Sequence, residues 1–273
     1  MPNRIGQPRE ESFVSEYETV KYVQDESVAI ITINRPDAMN SFDTALRRDL
    51  LAACQKAADD KSIRAVVLTG EGRSFSAGAD LKSGLDPNAD TERMLQDEYR
   101  PVLECIWNME KPVIAAVGGS AAGIGVSFAL ICDLLVMADN AFLLSPFTTI
   151  SLVPDGGLNW LLVHQLGYRR AFQLSIECER ISADLCVELG LANKAVPAES
   201  LMEESVNWAK SLAERAPLSL AATKKAMRHA TSGSWASTFD IEAPIQNQLR
   251  KSEDSAEGVA AFFQKRKAEF KGK

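Results

Sequence analysis

Residues 113–133, VIAAVGGSAAGIGVSFALICD, constrain the fold more than any other stretch of this 273-residue chain. The run Val113-Ile114-Ala115-Ala116-Val117 has the length and β-branched content of a buried strand. Gly118 and Gly119 break it. After Gly123 and Gly125, the residues Val126, Phe128, Ala129, Leu130 and Ile131 form an apolar segment too even for a surface face, which predicts a buried helix. A strand that turns through glycines into a helix leaves unpaired N–H groups at the positive end of the helix macrodipole, a natural seat for an oxygen carrying negative charge. Glycines here can equally serve close packing of the helix on the strand. A dinucleotide fingerprint fits poorly, because the third glycine position of G-x-G-x-x-G falls on Phe128.

The flanking sequence alternates strand and helix, which predicts an α/β fold. Residues 17–23 and 28–34 read as a hairpin around Gln24-Asp25-Glu26-Ser27. The loop Arg35-Pro36-Asp37-Ala38-Met39-Asn40 leads to Leu46, Leu50, Cys54 and Ala57 at helical spacing, with Asn40 or Ser41 as cap. A strand over 63–69 runs into a second small-residue break at 70–80, where free N–H groups are again expected. A polar linker at 84–90, a helix over 91–109 and short strands at 134–138 and 141–144 complete this body. From Gly157 on, helices are predicted near 158–166, 168–177, 182–189, 199–214, 217–230, 235–251 and 255–270, with only 193–196 strand-like. The implied organisation is a loose tail at 1–15, a core at 16–200 and a helical region at 201–273 that docks on the body or on another subunit.

Charge and composition narrow the function classes. Lys and Arg total 30 against 37 Asp and Glu, a net charge of −7, which argues against nucleic acid and anionic membrane as partners. Five scattered cysteines in mostly apolar surroundings read as reduced core residues, so a cytoplasmic location is expected. Residues 1–15 lack an apolar segment and no run nears the roughly 18 residues of a span, so neither signal peptide nor anchor is expected. The only histidines, His164 and His229, stand alone, which argues against a metal site and a Ser-His-Asp triad.

Five segments in order and spacing resemble the crotonase (enoyl-CoA hydratase/isomerase) superfamily: Phe75-Ser76-Ala77-Gly78-Ala79-Asp80-Leu81, Gly119-Ser120-Ala121-Ala122-Gly123-Ile124-Gly125, Cys132-Asp133, Ile181-Ser182-Ala183 and Glu257-Gly258-Val259-Ala260-Ala261-Phe262. The resemblance runs from about residue 17 to 271. It implies a crotonase-like spiral of ββα repeats, a C-terminal helical trimerisation region, a homotrimer or dimer of trimers, and acyl-CoA thioester substrates. Coenzyme A belongs to the substrate, so no separate cofactor is implied. It further implies that the backbone N–H groups of Ala77 and Ile124 hold the thioester oxygen, agreeing with the two breaks read from the residues. Arg35, Ala38 and Met39 fall in the CoA-lining loop, joined by Ser76, Ala79, Asp80, Leu81 and Gly123 around the breaks. Phe262 and Lys265 are implied to reach a neighbouring subunit's CoA.

The acid and base groups depart from the hydratase pattern. Where the two hydratase glutamates stand, this chain has Ser127 and Phe147. The later loop, Val153-Pro154-Asp155-Gly156-Gly157, carries an aspartate, which resembles the ring-epoxyphenylacetyl-CoA isomerase branch. By itself such an aspartate reads as a turn residue and helix cap. With both breaks present and both glutamates absent, Asp155 is read as the catalytic carboxylate. Asp80 reads as part of the fold signature and Ser127 as structural or a donor to substrate. The expected activity is isomerisation of an enoyl-CoA with Asp155 as acid and base. The alternatives are a hydratase or related enolate chemistry, with Asp155 steering water, and a non-catalytic acyl-CoA-binding or RNA-binding homologue.

Overall fold

The computed structural model describes residues 17–81 and 90–273; the expected tail at 1–15, and the expected linker except Asp90, lie outside them. The chain opens with β1 (Val20–Asp25) and β2 (Val28–Ile33), then α1 (Thr44–Asp59), β3 (Ala65–Gly70), β4 (Ser74–Ser76), α2 (Thr91–Met94) and α3 (Arg100–Asn108). There follow β5 (Val113–Val117), β6 (Ser120–Ala122), α4 (Ile124–Leu130), β7 (Leu134–Ala138), β8 (Phe142–Leu144), α5 (Leu158–Leu166) and α6 (Tyr168–Glu177). Last come β9 (Ile181–Ser182), α7 (Ala183–Glu188), β10 (Lys194–Val196), α8 (Leu201–Ala213), α9 (Pro217–Ala230), α10 (Trp235–Leu249) and α11 (Glu253–Gln264).

The strands form two sheets, one ordered β1-β2-β3-β5-β7-β10 and the other β4-β6-β8-β9, and from β3 to β8 they are dealt to them alternately. Each pair β3–β4, β5–β6 and β7–β8 gives one strand to each sheet and is followed by a helix, which is the predicted spiral of ββα repeats. The β2, β3, β5, β7 and β10 ladders are parallel. Strands in that arrangement are covered on both faces, and β5 is accordingly buried at every residue. Burying its valines and isoleucine contributes about 1.5–3 kcal/mol each.

Four local expectations change. The hairpin pairs Asp25 with Val28, so the turn is only Glu26-Ser27, with Glu26 at φ 55°. Both glycine breaks hold a short strand, β4 and β6, because their edges pair with each other. The helix over 91–109 widens into a π turn at Leu95–Tyr99 just before Pro101, which has no N–H to continue the α pattern. The cap of α1 is Asp43, which accepts from Leu46 N–H at 2.8 Å, rather than Asn40 or Ser41.

The last third divides by what it buries. Helix α8 lies on β2, β3, β5 and β7 and buries Leu201, Ser205, Ala209 and Ala213. Helices α9 and α10 pack together yet bury no residue, and Met227, Trp235 and Phe239 stay exposed. Helix α11 stops at Gln264 instead of 270 because the chain turns at Lys265 (φ 54°) and doubles back. The buried Asp254 then accepts the N–H groups of Lys271 and Gly272 at 2.6 and 2.8 Å. Among the described residues no helix is long and apolar enough to cross a membrane.

Asn40 has a different task from capping. Buried and left-handed at φ 57°, its side chain accepts from Arg35 N–H (2.9 Å) and donates to Glu71 O (2.9 Å) and Ser74 O (2.6 Å). It thereby stitches the 35–42 loop to the first break. Asn40→Ala removes these bonds and places alanine in the left-handed region, so a loss of about 2–4 kcal/mol is expected in urea unfolding. An unchanged midpoint would show that the stitch carries no stability.

Candidate active site

Two glycines bring the breaks together. Gly78 (φ 94°) and Gly123 (φ 55°) both occupy the region that side chains disfavour. A Cβ added at Gly78 would lie 2.8 Å from Ala122 O and 3.4 Å from Gly123 Cα, so the two backbones touch directly. The residue after each glycine has a free N–H. Ile124 opens α4 and therefore lacks an intrahelical acceptor, while Ala79 N–H makes no hydrogen bond among the described residues.

The expected donor Ala77 is corrected by this geometry. Its N–H is already bonded to Met39 O at 2.9 Å. The segment after β4 runs parallel beside the 39–42 loop, with Phe42 N–H on Gly78 O (2.8 Å) and Asp80 N–H on Phe42 O (3.0 Å). N–H direction alternates along an extended chain, so Ala79, bridged to Phe42, turns its N–H away from the loop. Ser76 Oγ donates to Asn40 O (2.8 Å) and accepts from Gly78 N–H (3.1 Å), which fixes the turn from below. The sequence signal for Ala79 was its position directly after the glycine, matching Ile124 after Gly123.

Asp155 sits on the loop before α5, and that loop is pinned to the second break. Ser127 Oγ donates to Asp155 O (2.9 Å), and the Gly156 backbone lies against Ile124 and Ser127. Fully buried Ser127 is thus a support for the aspartate's main chain. The capping role is excluded for the carboxylate itself, since the N-cap of α5 is Gly157 and no side chain caps the helix. Asp155 Oδ1 is instead buried without a partner among the described residues. Burial pushes the carboxyl up to about 6, against a smaller downward effect of its own N–H.

This carboxylate lines a cavity of about 450 Å³ whose other walls include Tyr99, Leu103, Trp107 and Ile131. The helical contributors were not singled out from sequence; the signal was Pro101, which marks the π turn that seats Tyr99 inward. Phe42 ties the walls together, stacked on Phe128 at 4.4 Å and tilted against Tyr99 at 5.9 Å. Buried Phe147 lies over the second break, its Cζ 4.0 Å from where a Cβ on Gly123 would stand. Glu104 also reaches the cavity but is held by Arg100 at 2.6 Å.

The other expected CoA contacts separate. Arg35 is consumed by Asp43 (2.8 Å) and Asp80 (3.2 Å) and by Ser41 O, so its charge serves the loop, as does that of Asp80. Met39 Sδ accepts from Arg73 Nε at 2.9 Å, and Ala38 is half-buried beside it. Leu81 and Phe262 are exposed, and neither Phe262 nor Lys265 lines the Asp155 cavity.

Burial of Asp155 sets a stability test. Its folded pKa near 6 lies above the unfolded value near 3.9, so its contribution is fully present below about pH 4 and lost as pH rises through 6. Asp155→Asn carries no charge to desolvate. The variant should therefore be more stable than wild type by about 2–3 kcal/mol at pH 7.5, with the gain vanishing by about pH 4, in urea unfolding across pH. A variant less stable than wild type at pH 7.5 would contradict the buried, unpaired carboxylate.

The chain is similar to known proteins over nearly its whole length. Residues 23–273 match the family model described as enoyl-CoA hydratase/isomerase. A probable enoyl-CoA hydratase of Rhodobacter capsulatus is 38% identical over 257 residues, covering 94% of this chain and 99% of its own. The 1,2-epoxyphenylacetyl-CoA isomerase of Escherichia coli is 33% identical over 253 residues, covering 91% and 97%. Among solved structures, an enoyl-CoA hydratase subunit from Geobacillus kaustophilus superimposes with a TM-score of 0.89 at 33% identity, over 95% of this chain and all of that one.

Proposed function

The chain belongs to the enoyl-CoA hydratase/isomerase family, and on that premise we propose that it is an acyl-CoA isomerase that shifts a double bond in an enoyl-CoA. The thioester oxygen rests on the N–H groups of Ala79 and Ile124. Each such donor contributes about 3 kcal/mol to the enolate-like transition state. Asp155 removes a proton conjugated with the thioester and returns it at another carbon, so one carboxylate serves both steps and is regenerated. The apolar wall of Phe147, Leu103 and Trp107 keeps water from competing for the enolate. Coenzyme A enters with the substrate, and no further cofactor is invoked.

The observation that carries this reading is the buried Asp155 oxygen with no partner, in a site where Ser127 and Phe147 replace the hydratase glutamates. The names of several relatives favour a hydratase as second reading. Glu104 is the other carboxylate on the cavity, but it is exposed and paired with Arg100, which leaves it poorly placed to work with Asp155 on a water. Exposed Met227, Trp235, Phe239, Phe262 and Phe263 support a further part of the proposal, a homotrimer or dimer of trimers in the cytoplasm.

Three outcomes are expected. In D₂O, NMR should show deuterium entering C2 and C4 of a 3-enoyl-CoA, the carbons that lose and regain the proton, with Asp155→Asn slower by on the order of 10²–10⁴. Exchange at the wild-type rate in that variant, or crotonyl-CoA hydration as fast as isomerisation, would transfer the assignment to the hydratase. The wild-type kcat/KM should fall about tenfold per pH unit below about 6, because the base must be ionised. Light scattering should give three or six chains per particle, and a monomer at micromolar concentration would refute the assembly.

A further inference from the structure

Trp107 lines the Asp155 cavity, and the same residue lines a second cavity of about 520 Å³. That second space is walled mainly by apolar groups, among them Leu134, Leu161, Leu212, Leu220 and Met227. As the one residue common to both linings, Trp107 is placed to act as a partition between two hollows that together would hold a larger apolar body than either alone.

The partition is fixed in place. The Arg228 guanidinium lies over the indole, 3.5 Å from the ring centroid, and Trp160 meets it edge-on at 5.5 Å. Arg228 is in turn held by Asp133 Oδ1 (2.8 Å) and by Ile131 O (3.1 Å), the carbonyl of another cavity residue. Lys224 takes the second Asp133 oxygen at 2.8 Å, and that oxygen also accepts Val113 N–H at 2.9 Å. Rotating the indole out of the way would break the cation contact and the edge contact together, so the wall does not yield as a loose side chain would.

We propose that Trp107 is a specificity-determining residue that closes the acyl site to long alkyl chains, so that the substrate class is short to medium acyl groups. This rests on the Asp155 cavity being the acyl site. Where a chain could pass the partition, each added methylene buried in the second cavity would gain roughly fourfold in affinity. With Trp107 in place that gain stops at the partition.

The test uses the full chain and two saturated acyl-CoA probes at submicellar concentration, one of six carbons and one of sixteen. Wild type is expected to bind the sixteen-carbon probe no tighter than the six-carbon one. Trp107→Leu should raise the ratio of the two affinities at least tenfold, with the kcat/KM ratio for enoyl-CoA substrates of the same lengths moving alike. Trp107→Phe keeps an aromatic face under Arg228 while thinning the wall. It should shift the ratio the same way by a smaller factor, and it decides the matter if the leucine variant does not fold. A wild type that already binds the long probe tenfold tighter, or a ratio unmoved within twofold in a folded variant, overturns the partition. Absence of turnover on every enoyl-CoA by wild type would sink the reaction reading instead, and the binding ratio would still decide the role of Trp107.

Discussion

The site depends on a contact that only glycine permits. Gly78 and Gly123 meet backbone to backbone, and a single added carbon at Gly78 would overlap a carbonyl oxygen. Because each glycine turns through positive φ, the peptide that follows is aimed away from its own ladder. Two N–H groups, on Ala79 and Ile124, are left without partners among the described residues, where the two glycine breaks meet. An unbonded N–H in a partly closed site costs stability, a cost that the proposed thioester oxygen would relieve.

Asp155 stores a second cost of the same kind. Its main chain is well satisfied, by Ser127 and by the start of α5, while its carboxylate faces a largely apolar cavity with one oxygen unbonded. Firm placement of the backbone and poor solvation of the charge pull in different directions, and together they leave a carboxyl raised to about 6 in a defined position. Ser127 shows how a residue in a catalytic neighbourhood can act wholly through geometry.

The walls of the cavity come from parts of the chain that are far apart. Asp133 binds both Lys224 and Arg228, tying α9 to the start of β7, and Arg228 carries that tie to Trp107 in α3. Partly buried ion pairs of this sort contribute little net stability, since desolvation offsets the attraction. What the cluster does is fix orientation: Asp133 holds Arg228, and Arg228 lies over Trp107 on the Asp155 cavity.

Much of this was legible in the order of residues. Strand β5, the glycine turn and helix α4 follow from a run of β-branched residues, a pair of glycines and an even apolar stretch, because those preferences are local. Asp155 could be picked out once Ser127 and Phe147 were seen in place of acids. Other features needed the folded chain. Ala77 and Ala79 are both small residues in one break, and which of them keeps a free N–H is decided by Met39 and Phe42, some forty residues earlier. The cap at Asp43, the buried task of Asn40 and the neutralised Arg35 likewise depend on partners that the 35–42 loop meets only after folding. Trp107 gives no sign in sequence of standing between two cavities, because helix α9, whose Arg228 holds it, lies more than a hundred residues away. Local propensity sets the elements; hydrogen-bond direction and side-chain contact across the chain set what each one does.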